Sequence, residues 1–228
     1  MRLETSWIFD LGADIYGWFT AQAAWRASCA RLAEHLPAGD RLRVADLGCG
    51  PGVSAIELAR RRPGDLIIGL DVSPRMLAVA RRRLASARLP AGHVHWVRGD
   101  AARLPFGTGS LDALTGHSFL YLLPEREAAL AESLRVLQPG GRLVLMEPNA
   151  RPATAAQVLG VSRDPRHLVS VGLWRPFSRF HGRFTAASLT ATLEGAGFVS
   201  CRVEEVLGGL GLMAWAEKPR LGATGHGS

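Results

Sequence analysis

Lysine is all but missing from this chain of 228 residues: 27 positions are Lys or Arg, and Lys218 is the sole lysine. Alanine and arginine abound together instead, a bias that coding composition accounts for as well as function does. Cysteine is scarce too. Cys29, Cys49 and Cys201 are widely spaced and odd in number, which fits neither a disulfide framework nor a zinc ligand set and points to a reducing cytoplasm. No metal site is expected. No apolar run reaches the ~18 residues of a membrane span, and no secretory apolar region opens the chain, so a cytoplasmic location is expected. No internal repeat is visible.

The charge that is present is unevenly placed. Of a net charge of +7, the segment 151–183 supplies +5, with Arg151, Arg163, Arg166, Arg175, Arg179 and Arg183 against Asp164 alone. An anionic partner or a membrane surface fits that segment, and the Trp7-Ile8-Phe9 cluster leaves room for transient membrane contact, peripheral to the cytoplasmic location. The oligomeric state is not legible.

Apolar residues at helical spacing (Trp7, Ile8, Leu11, Ile15, Trp18 and Phe19, then Trp25, Cys29, Leu32 and Leu36) give one or two helices over 5–36. From residue 43 the pattern alternates. Strands are expected at 43–47, 66–70, 93–97, 111–115 and 142–146, with helices at 53–62, 74–87 and 125–137 between them. Ser73 caps the second of these with Pro74 at its first position, and Pro139-Gly140-Gly141 ends the third. After Glu147 the rhythm breaks until a helix at 185–194 and two runs, 198–206 and 210–216, that read as a hairpin about Gly208-Gly209. Such alternation predicts an α/β fold: a doubly wound, mostly parallel, seven-stranded sheet with a C-terminal antiparallel hairpin and an N-terminal helical cap. The domains follow: cap 1–40, core 41–217, flexible tail 218–228. The insertion at about 148–183 has no clear period, yet Trp174, Phe177, Phe180 and Phe184 make it a lid rather than a linker.

The turn after the first strand, Gly48-Cys49-Gly50-Pro51-Gly52, suits close backbone approach of a ligand. In an open parallel sheet it lies at the carboxyl edge, where such folds bind ligands. A dinucleotide fingerprint with glycines at 48 and 50 needs a third at 53, where Val53 stands, and Gly52 is out of step. Two carboxylates follow at the same edge. Asp71 ends strand two and can accept from both hydroxyls of a ribose; Asp100 follows strand three and can accept from an adenine amino group.

Taken together these stretches resemble the class I S-adenosylmethionine-dependent methyltransferases. VADLGCGPG is similar to that family's first motif, IIGLDVSPRML to its second, VRGDAARLPFGTGSLDAL to its third and LRVLQPGGRLVLMEP to the motif after the fourth strand. They run from about 43 to 148 in order and spacing, and resemble the branch acting on quinones, sterols, lipids and other small metabolites. The resemblance implies the Rossmann-like methyltransferase fold and S-adenosyl-L-methionine as cofactor. It implies that Gly48, Cys49 and Gly50 line the methionine portion, that Asp46 braces the turn, that Asp71 and Val72 meet ribose and adenine, that Asp100 and Ala101 read the adenine edge, and that His117 passes near the sulfonium.

The expected activity is in-line methyl transfer to a small apolar metabolite, anionic or not: a quinone precursor, a lipid or a hydrophobic acid. His117 is the expected general base, ahead of His167, His181 and Glu147, because histidine titrates near neutrality. Substrate contacts are expected from Tyr16 and Trp18 of the cap and from Trp174, Arg175, Arg179 and His181 of the lid, arginine for a carboxylate or phosphate and the aromatics for an apolar body. The alternatives are a nucleic-acid methyltransferase, a non-catalytic S-adenosylmethionine-binding module and a nicotinamide dehydrogenase. The strand-four end reads Thr-Gly-His-Ser-Phe rather than [Asp/Asn]-Pro-Pro-[Tyr/Phe], so no nucleic-acid partner is expected.

Overall fold

A computed structural model describes residues 17–18, 20–90 and 92–220. The expectations placed on Trp7, Ile8, Phe9, Leu11, Ile15, Tyr16 and Phe19, and on the tail from 221, lie outside the described residues.

Short aliphatic runs with no exposed face make the centre of the sheet. β1 (Arg43–Leu47) lies between β2 (Leu66–Asp71) and β4 (Leu111–His117), parallel to both. Val44, Ala45, Ile67, Ala113 and Leu114 are fully buried, as strands covered by helices on both faces must be. β3 (Val94–Arg98) extends the sheet beyond β2, and β5 (Leu137–Pro148) extends it beyond β4. β7 (Gly211–Glu217) pairs antiparallel with β5, and β6 (Val199–Val206) antiparallel with β7. The order is β3-β2-β1-β4-β5-β7-β6, so the direction of winding reverses between β1 and β4. A crevice opens there at the strands' carboxyl ends. The expected seven-stranded, mostly parallel sheet with its antiparallel hairpin is observed.

α1 (Ala23–Arg31), α2 (Val53–Arg61) and α3 (Pro74–Ser86) follow the chain in order, and α4 (Arg126–Val136) leads into β5. One core gathers Leu47, Leu114, Leu120, Leu130 and Leu212; the other gathers Leu32, Val44, Leu58, Ile67 and Met213. Pro139-Gly140-Gly141, expected to end a helix, is drawn into the long β5.

The insertion differs from its irregular expectation. It holds α5 (Ala155–Val161) and a 17-residue α6 (Pro165–His181), before α7 (Ala186–Gly195). Thr154 and Gln157 form a capping box on α5, and Asp164 caps α6 ahead of Pro165. The helical period was hidden because α6 is turned inside out. It buries His167, Ser170, Val171, Arg175 and Ser178, mostly polar, while Val169, Leu173, Pro176 and Phe180 face outward at i, i+4, i+7 and i+11. A search for apolar residues on a buried face passes over such a helix. No helix among the described residues is long and apolar enough to cross a membrane.

Candidate active site

Where β1 gives way to α2 the chain turns on Gly48 (φ 61°), Gly50 and Gly52 (φ 80°). A Cβ at Gly48 would lie 2.3 Å from Cδ2 of Phe119, so only glycine lets that ring close over the turn. Gly52 is the N-cap of α2, and a Cβ there would meet Ala80 of α3 at 2.8 Å and Trp96 at 2.6 Å. Close helix packing, the task of a third fingerprint glycine, thus falls to the residue that looked out of step.

Asp71 stands at the end of β2 with both oxygens set by the backbone. Its Oδ2 accepts from the Gly50 N–H and its Oδ1 from the Ser73 N–H, each at 2.8 Å. Since a carboxylate oxygen accepts more than one hydrogen bond, these contacts orient Asp71 without exhausting it. Asp71 and Val72 line a cleft together with Gly48, Gly50, Gly99, Asp100, Ala101, His117, Ser118 and Phe119. Asp100 is set by its own turn, its Oδ1 accepting from the Ala102 N–H at 3.0 Å.

Two residues expected at the cofactor do not line this cleft. Asp46 is fully buried, accepting from the hydroxyls of Ser54 at 2.5 Å and Thr115 at 2.8 Å. Burial pushes its pKa to about 6 against the downward pull of these bonds. These bonds tie α2 and β4 to β1. The Cys49 thiol turns beneath the turn, 3.1 Å from where a Cβ of Gly69 would sit, and burial pushes its pKa well above the usual thiol range.

His117 ends β4 on the other side of the crevice. Its Nε2 lies 2.8 Å from the Ser28 hydroxyl, and Trp25 tilts against its ring at a centroid distance of 4.7 Å. Among the described residues Nδ1 is buried without a hydrogen-bond partner, as is the hydroxyl of Ser118, which takes a left-handed backbone (φ 55°) at the cleft wall. Burial lowers the His117 pKa to about 3. The expected general base is therefore neutral and far from the operating pH that such a base needs. Glu147 does not line the cleft. Its Oε1 accepts the N–H groups of Phe119 (3.1 Å) and Leu120 (2.7 Å), and its Oε2 that of Tyr121 (3.2 Å). Burial raises its pKa to about 7. The carboxylate fixes the turn that holds Phe119 over Gly48, a link that no local motif announces.

The lid residues separate. Arg175, expected to face an acidic substrate, is buried with its guanidinium donating to the carbonyls of Asn149 (2.8 Å), Arg151 and Leu210, at the edge of an open groove between α5 and α6. Arg179 is exposed along the same groove. The His181 Nδ1 lies 3.0 Å from the Phe177 carbonyl, on the helix itself. Trp18 is 55% exposed, with Arg166 over its ring at 5.9 Å. Trp174 is half-buried. It lines a small hollow with Trp25, Ser28, His167, Val171, Leu207 and Leu210. A second chamber, lined by Trp25, Cys29, Cys49 and His117 and by Gly48 and Gly50 of the cleft, shares Trp25 with the hollow. The sequence marks Trp25 only as one of a helically spaced apolar set and Ser118 only as part of the strand-four end, and nothing in it singles out Ser28.

A family profile described as "Methyltransferase domain" matches residues 44–141. The demethylmenaquinone methyltransferase of Thermus thermophilus is 40% identical over 130 residues, covering 57% of this chain and 56% of that one. The trans-aconitate 2-methyltransferase of Methylobacterium nodulans is 32% identical over 200 residues, which are 82% of this chain and 70% of its own length. The chain belongs to the S-adenosylmethionine-dependent methyltransferase family. Its cofactor is S-adenosylmethionine. This methyltransferase spans about half the length of the Thermus relative, 56% of it. Its fold is like that of an S-adenosylmethionine-dependent methyltransferase from Aquifex aeolicus, with a TM-score of 0.64 at 17% identity over 83% of this chain and 89% of that one. The residues present suit the cofactor. The methyltransferase cleft offers a carboxylate for hydroxyls, a glycine floor that a Cβ would fill, and two buried polar atoms (His117 Nδ1 and Ser118 Oγ) without hydrogen-bond partners among the described residues.

Proposed function

We propose that this chain transfers a methyl group from S-adenosylmethionine to a small, apolar, uncharged acceptor related to the quinones. One observation carries the reading: at the sheet's reversal point Asp71, the glycine turn and the Asp100-Ala101 edge line a single cleft that His117 links to an inner chamber. Asp71 would hold the ribose hydroxyls, Val72 the adenine face, and Asp100 with the Ala101 N–H the adenine edge. Gly48 and Gly50 would floor the methionine portion, with His117 and Ser118 beside it. When bound, the cofactor supplies a methyl group already activated by its sulfonium. The chain's own part is to orient and to exclude water. His117, neutral and anchored on Ser28, positions a neighbour rather than taking a proton. Relatives named as demethylmenaquinone methyltransferases support a quinone-type acceptor. An acidic acceptor loses its main support, because Arg175 is held by backbone carbonyls.

The same reading includes transient contact with an anionic membrane surface, where apolar acceptors of this kind reside. Val169, Leu173 and Phe180 are 49%, 59% and 89% exposed on one face of α6, and exposed arginines 151, 163 and 179 lie on the same insertion. An apolar stripe rimmed by cations suits such a surface.

The test is transfer of labelled methyl from S-adenosylmethionine to demethylmenaquinone, with the product separated by chromatography. Label in the quinone supports the reading. Tight binding of NAD with none of S-adenosylmethionine overturns it, and cofactor binding with no transfer to quinones overturns the acceptor class.

A further inference from the structure

The polar face that α6 turns inward meets α1 across the small hollow. Its walls are largely apolar, with Trp25, Val171, Leu207 and Leu210. Two nitrogen atoms on those walls, Nε2 of His167 and Nε1 of Trp174, are buried without a hydrogen-bond partner among the described residues. Buried polar atoms are rarely left so.

Their proton states follow from the cap of α1. The Gln22 Oε1 accepts from the N–H groups of Ala24 at 2.9 Å and Trp25 at 3.2 Å. That fixes which way its amide points, and its Nε2 donates to Nδ1 of His167 at 3.3 Å. Nδ1 is then an acceptor, so the neutral ring carries its proton on Nε2. His167 is 4% exposed, and burial holds its pKa below the usual histidine value. The hollow therefore presents two N–H donors, from an uncharged imidazole and an indole. Arg175, the buried cation of this face of α6, donates to backbone carbonyls and does not line the hollow.

Given the methyl-transfer reading, on which this inference rests, we propose that the hollow is an acceptor subsite in which His167 Nε2–H and Trp174 Nε1–H bind a carbonyl oxygen of an uncharged, apolar ring system. A carbonyl offers lone pairs to two donors and brings no charge into a site that has none to neutralise it. A hydrocarbon leaves both donors unpaired; a carboxylate is buried without a counter-charge. Trp25 lines both the hollow and the chamber that His117 shares with the cleft, so an oxygen held here lies one side chain away from that chamber.

Calorimetric titration of the full chain with 1-tetralone, naphthalene and 1-naphthoate tests this. The wild type is expected to prefer 1-tetralone to the other two. His167→Phe and Trp174→Phe are each expected to weaken 1-tetralone roughly tenfold while leaving naphthalene little changed. His167→Gln, which keeps a donor, is expected to retain much of the ketone preference. S-adenosylhomocysteine, titrated into the same samples, reports that the variants are folded and is expected to bind them all equally. Preference for the naphthoate, or a ketone preference that survives both Phe variants, overturns the subsite. Failure of S-adenosylhomocysteine to bind the wild type overturns the methyl-transfer reading instead and leaves the ketone comparison standing.

Discussion

At the scale of single residues, three buried ionisable groups around the crevice give the chain opposing responses to pH. An unfolded histidine titrates near ~6.5, whereas burial holds His117 at about 3. Between those values the unfolded state binds more protons, so the His117 contribution to stability falls as pH is lowered through that window. Glu147 and Asp46 act the other way. Their folded pKa values, about 7 and about 6, lie above the carboxylate range, so their burial costs stability as pH rises from that range through those values. Urea melts of wild type and His117→Gln between pH 4.5 and 7 separate these terms. The variant is expected to lose less stability than the wild type on the way down; parallel curves would contradict a buried neutral imidazole. Arg175 gives a second expectation. With its guanidinium on three carbonyls, Arg175→Met should cost about 1.5–3 kcal/mol of unfolding free energy and leave cofactor affinity alone. A variant as stable as wild type but with weakened substrate binding would return this arginine to the acceptor.

At the scale of elements, the turn between β1 and α2 and the inverted helix α6 decide what the molecule can hold. Gly48→Ala would drive a Cβ into Phe119, itself held by the N–H contacts to Glu147, at a backbone φ of 61°. Strain of this kind costs about 1–3 kcal/mol, and the expected outcome is a lower melting temperature together with weaker S-adenosylhomocysteine binding. A variant with unchanged binding would remove the turn from the site. This half of the molecule was legible in the sequence because local physics writes it there. Aliphatic runs bounded by Gly and Pro gave the parallel strands, Ser73-Pro74 gave the start of α3, and Asp71 and Asp100 closed successive strands. The rest was not legible for two reasons. The buried face of α6 is polar, so hydrophobic periodicity pointed nowhere. The contacts that shape the inner chambers join distant positions, Ser28 to His117 across 89 residues and Gln22 to His167 across 145, and spacing cannot reveal them. Arg175 shows the same limit, since its charge is visible in a sequence and its backbone partners are not.

At the scale of the whole molecule, the reversal of strand order between β1 and β4 sets the cleft on one edge, and the helical insertion forms the hollow beside it. The outward face of α6 leaves apolar side chains in water. The paired change Leu173→Ser and Phe180→Ser should reduce co-sedimentation with vesicles containing phosphatidylglycerol and leave cofactor affinity unchanged. Equal sedimentation of variant and wild type would end the membrane-surface proposal. The central claim is that the cleft binds the methyl donor through Asp71. Calorimetric titration of S-adenosylhomocysteine into wild type and Asp71→Ala measures it most directly. The expected result is tight binding to the wild type and a loss of roughly tenfold or more in the variant, about 1.4 kcal/mol for each factor of ten. Equal affinity for the two proteins, or none for the wild type, would contradict it.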